Sequence, residues 1–180
     1  EPDDSFLKYS VNDISSELTQ LISNSTKNRM QSDVPLGFFL SGGLDSSLIV
    51  AIAKKLSTTD LIRTFSVKFE KNSFDESKYA QQVSDFLGTT HYTEFFDEKA
   101  LLDLVDYVLP KIDEPLADSS LLPSYLIAKS AKKHVNVVLT GDGADELFGG
   151  YAPLKALKPS MIYSKFIPKS IHNLFLYLSN

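Results

Sequence analysis

The chain has 180 residues, of which 43% are hydrophobic and 23% charged, so it can form one domain with a buried core. This composition excludes a disordered tail and a fibrous repeat. The 18 Lys and Arg residues against 23 Asp and Glu residues give a net charge of −5, which disfavours a nucleic-acid partner because such partners need clustered positive charge.

The first half of the chain alternates between helical and strand-like segments. Apolar residues at helical spacing predict a helix over residues 5–29. The apolar run 36–40 is bounded by turn residues on both sides, which is typical of a buried strand in a parallel sheet. Further along, the sequence predicts a helix over 45–56, a strand over 63–69 and a helix that Asp75 caps and Gly88 ends.

The second half continues the same alternation. It predicts a strand over 90–96, a helix capped by Asp97, a helix over 121–133 and a strand over 135–139. Strands that alternate with helices predict an α/β fold: a doubly wound parallel sheet with helices on both faces. Right-handed crossovers predict the strand order 3-2-1-4.

The loop after the first strand has the composition of a phosphate-binding turn. Its glycines allow the backbone N–H groups to approach an anion, and the following helix adds a favourable dipole. A Lys is absent, so the loop is not the common ATPase P-loop, but a pyrophosphate with Mg²⁺ on Asp45 would suit it. An ordinary strand-to-helix turn is the alternative. The candidate nucleotide-binding residues of this loop are Ser41, Gly42, Gly43, Ser46 and Ser47 for the phosphates, with Asp45 acting through Mg²⁺.

The loop after the fourth strand carries three carboxylates in five residues: Asp142, Asp145 and Glu146. Such a cluster repels itself unless a cation is bound, so it predicts a metal site. The alternative is a capped turn in which Asp142 or Asp145 is the N-cap of a short helix. Because the first and fourth strands are predicted to be neighbours at the switch point of the sheet, the two loops are expected to meet there.

Other chemistries find little support in the sequence. The chain has no Cys, which excludes disulfides, Cys-based zinc sites and a Cys nucleophile within it. His91, His134 and His172 show no metal-ligand spacing. No apolar run approaches the ~18 residues of a membrane span, and the acidic N-terminus does not read as a signal peptide. A cytoplasmic protein is therefore expected.

The two loops together carry a specific family resemblance. The segment SGGLDSS, followed about a hundred residues later by GDGADELFGGY, resembles the asparagine synthetase family within the N-type ATP pyrophosphatases. The likeness extends through FSVKF and KIDEPLADSSLLPSYLIAK and covers nearly all of residues 10–153. The resemblance implies an adenine nucleotide alpha hydrolase-like fold, the substrates ATP, aspartate and ammonia, and Mg²⁺. The implied reaction activates the aspartate side chain as an acyl-adenylate, releases pyrophosphate, and ends in asparagine and AMP.

The resemblance also implies roles for individual residues. It places Phe39, Leu40 and Val67 around the adenine, and Thr140 and Gly141 near the nucleotide and the activated acid. It makes Asp45 and Asp145 the Mg²⁺ ligands. Asp142 stands where many members carry Glu as the proposed base for the attacking amine, and its reach is shorter by one methylene group. For Tyr79 and Tyr125 we expect core positions instead.

Two departures from the family bear on domain organisation. Glutamine-dependent members begin with a glutaminase domain and an N-terminal Cys nucleophile, and neither occurs in this chain. We expect a synthetase domain over residues 1–153 and an apolar helical tail over 154–180, as the start of a further helical region in a longer protein. Ammonia would then come from a glutaminase portion outside this chain. No nucleic-acid or membrane partner is expected, and a homodimer is an assembly to test.

Three alternatives stay open or are disfavoured. The tRNA-thiolating and tRNA-lysine-modifying relatives fit poorly with a chain of charge −5 that lacks Cys. A related amidotransferase or cyclase acting on another carboxylic acid, of the surface-polysaccharide or β-lactam type, shares the activation step and stays open. So does a nucleotide-binding domain without turnover.

Overall fold

The computed structural model describes residues 8–59, 61–70, 75–114, 118, 120–168, 172 and 177. It divides into two compact units between Gly141 and Asp142. This boundary lies earlier in the chain than the one predicted after residue 153. The assignment of residues 1–153 to a synthetase domain and of residues 154–180 to a helical tail stays a prediction.

The first unit contains the sheet and most of the helices, and the described residues of the second form short helical segments. In chain order, the elements are α1 (Val11–Arg29), β1 (Leu36–Phe39), α2 (Leu44–Leu56), β2 (Arg63–Phe69), α3 (Ser77–Leu87), β3 (Thr90–Phe96), α4 (Glu98–Val108), α5 (Leu121–Ala131), β4 (Val137–Leu139), α6 (Ala144–Phe148) and α7 (Leu157–Phe166).

The four strands form one parallel sheet in the order β3-β2-β1-β4, which confirms the predicted order. Phe38 of β1 is paired with Thr64 of β2 on one side and with Leu139 of β4 on the other. β1 is therefore central, and the carboxyl ends of β1, β2 and β4 adjoin at one edge of the sheet. Ligands bind at this edge in doubly wound folds.

Helices cover both faces of the sheet, as predicted. Phe38 and Leu40 project to one face, where they pack with Val50 and Ala53 of α2 and Ala80 of α3. The intervening Phe39 projects to the other face, where a second cluster forms around Phe65 of β2 and Ala131 and Val135 beside α5. A third cluster joins α4 and α5 and contains Leu104, Val108 and Leu126. The two-residue period of a strand thus divides one apolar run between two cores.

A buried polar network joins β2 to β3. The imidazole of His91 contacts Thr64 through Nδ1 at 2.8 Å and Ser66 through Nε2 at 3.0 Å. The hydroxyls of Thr89 and Ser84 extend the network, with Thr64 Oγ1 3.1 Å and Ser84 Oγ 2.8 Å from Thr89 Oγ1. Thr64 is fully buried and Ser66 is 4% exposed, so these hydroxyl groups satisfy one another inside the protein. His91 is therefore a structural histidine.

Several predicted boundaries are wrong by a few residues; for example, α5 ends at Ala131 rather than at residue 133. α1 begins at Val11 rather than at residue 5, because Ser10 and Asp13 form a capping box that starts the helix there. α3 begins at Ser77 with Glu76 as its N-cap, while Asp75 instead accepts a hydrogen bond from Ser77 N at 3.1 Å. β4 begins at Val137, since the N–H groups of Asn136 and Val137 both point to the carbonyl of Pro35. By contrast, Gly88 and Asp97 cap their helices as predicted.

Among the described residues of the second unit, most apolar side chains are exposed. In α7, Met161, Ile162 and Phe166 are all exposed. The predicted apolar tail also includes Ile171, Leu174, Phe175, Leu176 and Leu178, which lie outside the described residues. Within the described part of the chain, no helix combines the length and the apolar character needed to cross a membrane.

Candidate nucleotide-binding site

A cleft of about 210 Å³ opens at the carboxyl ends of β1 and β2. Four residues assigned to the nucleotide from the sequence line it: Phe39, Leu40, Ser41 and Val67. Seven others were not predicted: Ser66, Phe69, Glu76, Ser77, Pro123, Ser124 and Ile127. The two groups form an apolar wall from β1, β2 and α5 and a polar rim at the start of α3. An apolar cleft with a few polar groups is the usual form of a small-molecule site.

The phosphate loop, residues 41–47, is held by its own hydroxyl groups. The hydroxyls of Ser41 and Ser46 lie 3.0 Å apart. Ser46 Oγ accepts from the backbone N–H of Ser41 at 3.3 Å, and Ser41 Oγ accepts from the N–H of Gly43 at 3.2 Å. These serines, predicted as phosphate donors, therefore also fix the shape of the loop.

Gly42 and Gly43 bring this loop against two helices. Gly42 has φ +84° and lies against the first turn of α3, where a Cβ atom would come within 2.4 Å of the carbonyl carbon of Tyr79. Gly43 is the N-cap of α2, and no side chain caps that end of the helix. The N-terminus of α2 consequently presents its partial positive charge at the loop.

Gly141, which follows Thr140 at the end of β4, meets Asp45 and Ser46 at the start of α2. A Cβ atom on Gly141 would lie 2.9 Å from Ser46 N and 3.2 Å from the Cβ of Asp45. The end of β4 therefore approaches the phosphate loop through backbone atoms, as adjacent parallel strands should. Ser47 differs from its neighbours, because its Oγ is buried and has no hydrogen-bond partner among the described residues.

Asp75 ties the end of β2 to the start of α3. Burial raises the pKa of its carboxyl group, but hydrogen bonds from Ser77 and from the backbone of Phe69, together with nearby Lys68, outweigh this effect and hold the pKa below its ordinary value. The ionised carboxylate thus joins Phe69 and Ser77, two residues that line the cleft. These hydrogen bonds of Asp75 fix the polar rim of the cleft relative to its apolar wall.

The three carboxylates of the loop after β4 belong to the second unit, which begins at Asp142. Gly143 is the N-cap of α6 with φ 93°, so neither Asp142 nor Asp145 caps this helix. A Cβ atom on Gly150 would lie 1.9 Å from Oδ1 of Asp145, so the Asp145 carboxylate rests on the backbone of Gly150.

The third carboxylate of the loop has a phenol as its partner. Glu146 accepts a hydrogen bond from the hydroxyl of Tyr151, which lowers the pKa of Glu146 and raises that of Tyr151. Throughout the described residues, no three His, Asp or Glu side chains come close enough together to hold a metal ion. The roles of Asp142 and Asp145 stay predictions.

The two tyrosines expected in the core differ. Tyr125 packs beside Leu104 and Leu126 in the cluster between α4 and α5, as expected. Tyr79 is 59% exposed, so the prediction for it is wrong. It is the backbone of Tyr79, rather than its ring, that packs against the loop at Gly42.

The sequence contains a signal for some of the cleft residues that prediction missed. Asp75, Glu76 and Ser77 stand at the start of a helix that follows a strand, and such positions face the carboxyl edge of a parallel sheet. Pro123, Ser124 and Ile127 of α5 carry no such signal, because their position depends on how that helix packs across the sheet.

Comparison with known proteins identifies the family. The family model for asparagine synthase matches residues 17–174. The chain is 40% identical over 167 residues to asparagine synthetase (glutamine-hydrolyzing) 1 of Bacillus subtilis, covering 91% of this chain and 25% of that protein. It is 36% identical over 148 residues to asparagine synthetase B (glutamine-hydrolyzing) of Escherichia coli, covering 75% and 27%. The chain thus spans about a quarter of the length of these relatives.

Solved structures support the fold. A glutamine-dependent NAD+ synthetase from Acinetobacter baumannii, in complex with ADP, matches with a TM-score of 0.56 and 22% identity, over 76% of this chain and 27% of that one. The NMN synthetase from Francisella tularensis matches with a TM-score of 0.50 and 22% identity, over 80% and 59%. Together with the family match and the strand order, these likenesses establish the adenine nucleotide alpha hydrolase-like fold. The chain belongs to the asparagine synthase family.

Proposed function

We propose that this chain is the ATP-binding part of an amide-forming ligase that converts aspartate to asparagine. The observation that carries the proposal is the cleft at the carboxyl ends of β1 and β2. It opens directly beside the phosphate loop, whose serine hydroxyls are hydrogen-bonded to one another. Membership of the asparagine synthase family supports the reaction, and the ADP complex of the NAD+ synthetase neighbour supports ATP as the nucleotide.

The proposed reaction has two steps. A carboxylate oxygen of the aspartate side chain attacks the α-phosphorus of ATP, the bond to the β-phosphate bridging oxygen breaks, and pyrophosphate leaves. Ammonia then attacks the acyl carbon of β-aspartyl-AMP, AMP leaves, and one proton is lost to a base. We assign the role of this base to Asp142, an exposed carboxylate in the second unit.

The residues of the first unit would hold ATP in an extended arrangement. The adenine would lie against the apolar wall, which includes Phe39, Val67 and Ile127. The phosphates would lie on the loop, where the N-terminus of α2 offers favourable charge without a Lys. Thr140 and Gly141 adjoin this loop and would face the α-phosphate and the acid.

We propose that the nucleotide binds together with a magnesium ion. Mg²⁺ in nucleotide sites is usually held by one or two carboxylates together with substrate phosphates. Asp45 supplies one such carboxylate at the start of α2, and we propose Asp145 as the second. Bound Mg²⁺ would offset negative charge on the departing pyrophosphate.

Exchange of labelled pyrophosphate into ATP tests this function. We expect the chain to bind ATP more readily than it turns it over, and any exchange to require both Mg²⁺ and aspartate. Exchange with a different carboxylic acid, and not with aspartate, would assign the chain to an amidotransferase or cyclase of another substrate class. ATP binding without exchange for any acid would instead support a nucleotide-binding domain without turnover.

A further inference from the structure

Glu76 is a charged residue in a cleft that is otherwise uncharged. Among the described residues that line this cleft, it is the only one with an ionisable side chain; the others are apolar residues or serines. Nearby basic residues do not neutralise it, since no Lys or Arg side chain among the described residues forms an ion pair with Glu76 within 4.0 Å. Its carboxylate is therefore available to a ligand.

Two contacts fix the position of Glu76 within the cleft. On one side, Asp75 binds Ser77 N at 3.1 Å and reaches the backbone of Phe69, which ties the start of α3 to the end of β2. On the other side, the carbonyl of Glu76 accepts from Tyr79 N at 2.9 Å and Ala80 N at 3.1 Å.

The second contact connects Glu76 to the phosphate loop. The backbone of Tyr79 and Ala80 is the surface on which Gly42 rests. Glu76 thus stands one helical turn from the phosphate loop and beside the strand end that carries Val67. In a nucleotide whose base is at Val67 and whose phosphates are on the loop, the part between them is the sugar.

The chemistry of a carboxylate agrees with this position. An ionised carboxylate only accepts hydrogen bonds, and it repels phosphate oxygens. A ribose offers two adjacent hydroxyl donors and no charge.

We propose that Glu76 binds the 2′- and 3′-hydroxyls of the nucleotide ribose and makes the site selective for ribonucleotides. This inference rests on the proposed ATP-binding function. In the proposed site, the apolar wall binds the base, the loop binds the phosphates, and Glu76 would recognise the sugar between them.

The test compares the dissociation constants of ATP, 2′-deoxy-ATP and 3′-deoxy-ATP by calorimetry at one Mg²⁺ concentration. Because all three carry the same triphosphate, the ratio of their constants cancels the general repulsion between Glu76 and the phosphates. A hydrogen bond to a charged group corresponds to a preference of roughly tenfold to a hundredfold. We expect the wild type to prefer ATP by this factor over at least one deoxy analogue.

Two substitutions and one control complete the design. Glu76→Ala should bring the ratio close to one, and Glu76→Gln, which keeps one acceptor, should give an intermediate ratio. Glu17→Gln, an exposed residue of α1, should keep the wild-type ratio. Since Glu76 is exposed, we expect all variants to fold, and circular dichroism checks this.

The outcomes distinguish the role of Glu76 in binding the ribose from the binding of ATP by the chain. Equal constants for ATP and its deoxy analogues in the wild type, or an unchanged ratio in Glu76→Ala, would overturn the role of Glu76 while ATP binding stands. Absence of binding by all three nucleotides in the folded wild type would overturn the proposed function and the sugar site with it.

Discussion

Gly42 and Tyr79 are in backbone contact although they are 37 residues apart: a Cβ atom on Gly42 would lie 2.4 Å from the carbonyl carbon of Tyr79 and 2.5 Å from its Cβ. This contact places the phosphate loop on the first turn of α3. It requires a residue without a side chain, and the φ of +84° at Gly42 requires the same.

The substitution Gly42→Ala should therefore destabilise the fold more than Gly88→Ala does. At Gly88 φ is +64° and no described atom lies within 4 Å of an added Cβ. Left-handed backbone alone costs about 1–2 kcal/mol, and overpacking adds about 1–3 kcal/mol at Gly42. Urea unfolding of both variants measures the difference. Equal losses of unfolding free energy would show that the close contact at Gly42 is not maintained.

Asp45 should determine how ATP binding depends on magnesium. We expect Asp45→Asn to lower the affinity for ATP roughly tenfold or more in the presence of Mg²⁺ and to have little effect in EDTA. The substitution Asp103→Asn, at an exposed position of α4, is the control for the loss of one negative charge. If a folded Asp45→Asn protein bound ATP with wild-type dependence on Mg²⁺, Asp45 would not be a metal ligand.

The first strand and its loop were predictable from the sequence for a clear physical reason. An apolar run as short as the one between Pro35 and Ser41, with turn residues on both sides, is typical of a strand buried on both faces, and the loop composition then identifies its carboxyl end. Strand order followed from the handedness of the crossovers. Both features depend on local pattern and chain connectivity.

Two features could not be predicted from local pattern, because they depend on tertiary packing. They are the contribution of α5 to the cleft wall and the exposure of Tyr79. The position of Ile127 in the cleft is set by the packing of α5 on Phe65, which lies far away in sequence. Tyr79 lies between Lys78 and the buried Ala80, and a one-residue difference in helix phase decides which of them faces the sheet. The division of the chain at Gly141 likewise carries no local signal.

His91 should make the stability of the protein sensitive to pH. Burial lowers the pKa of its imidazole below the ordinary value of 6.5, and Asp85 offsets this only in part. Between the folded pKa and about 6.5, the unfolded chain binds more protons, so the free energy of unfolding falls as pH falls through this window. Above the window the contribution of neutral His91 is fully present.

The variant His91→Gln tests this, because Gln keeps a donor and an acceptor for Thr64 and Ser66 but does not titrate. The difference in unfolding free energy between wild type and variant should shrink from pH 7.5 to pH 5.5. Carboxylates such as Asp75 titrate in both proteins and cancel in the difference. A difference that does not change with pH would contradict a lowered pKa at His91.

The chain itself should not release ammonia from glutamine. It contains no Cys, and therefore lacks the thiol nucleophile that the resemblance assigns to the glutaminase domain of the family. We expect that any amide synthesis uses ammonium salts and not glutamine when this chain is the only protein present. Release of glutamate from glutamine by the purified chain would contradict this expectation.

The proposed function depends on the binding of ATP in the cleft at the carboxyl ends of β1 and β2. The most direct measurement is the change in backbone amide chemical shifts during titration of the chain with ATP and Mg²⁺. We predict the largest shifts at Gly42, Gly43 and Ser46 in the loop and at Val67 and Ser77 around the cleft, with little change in α1. Saturable shifts confined to α1 or α4, or no shifts at millimolar ATP, would contradict the account.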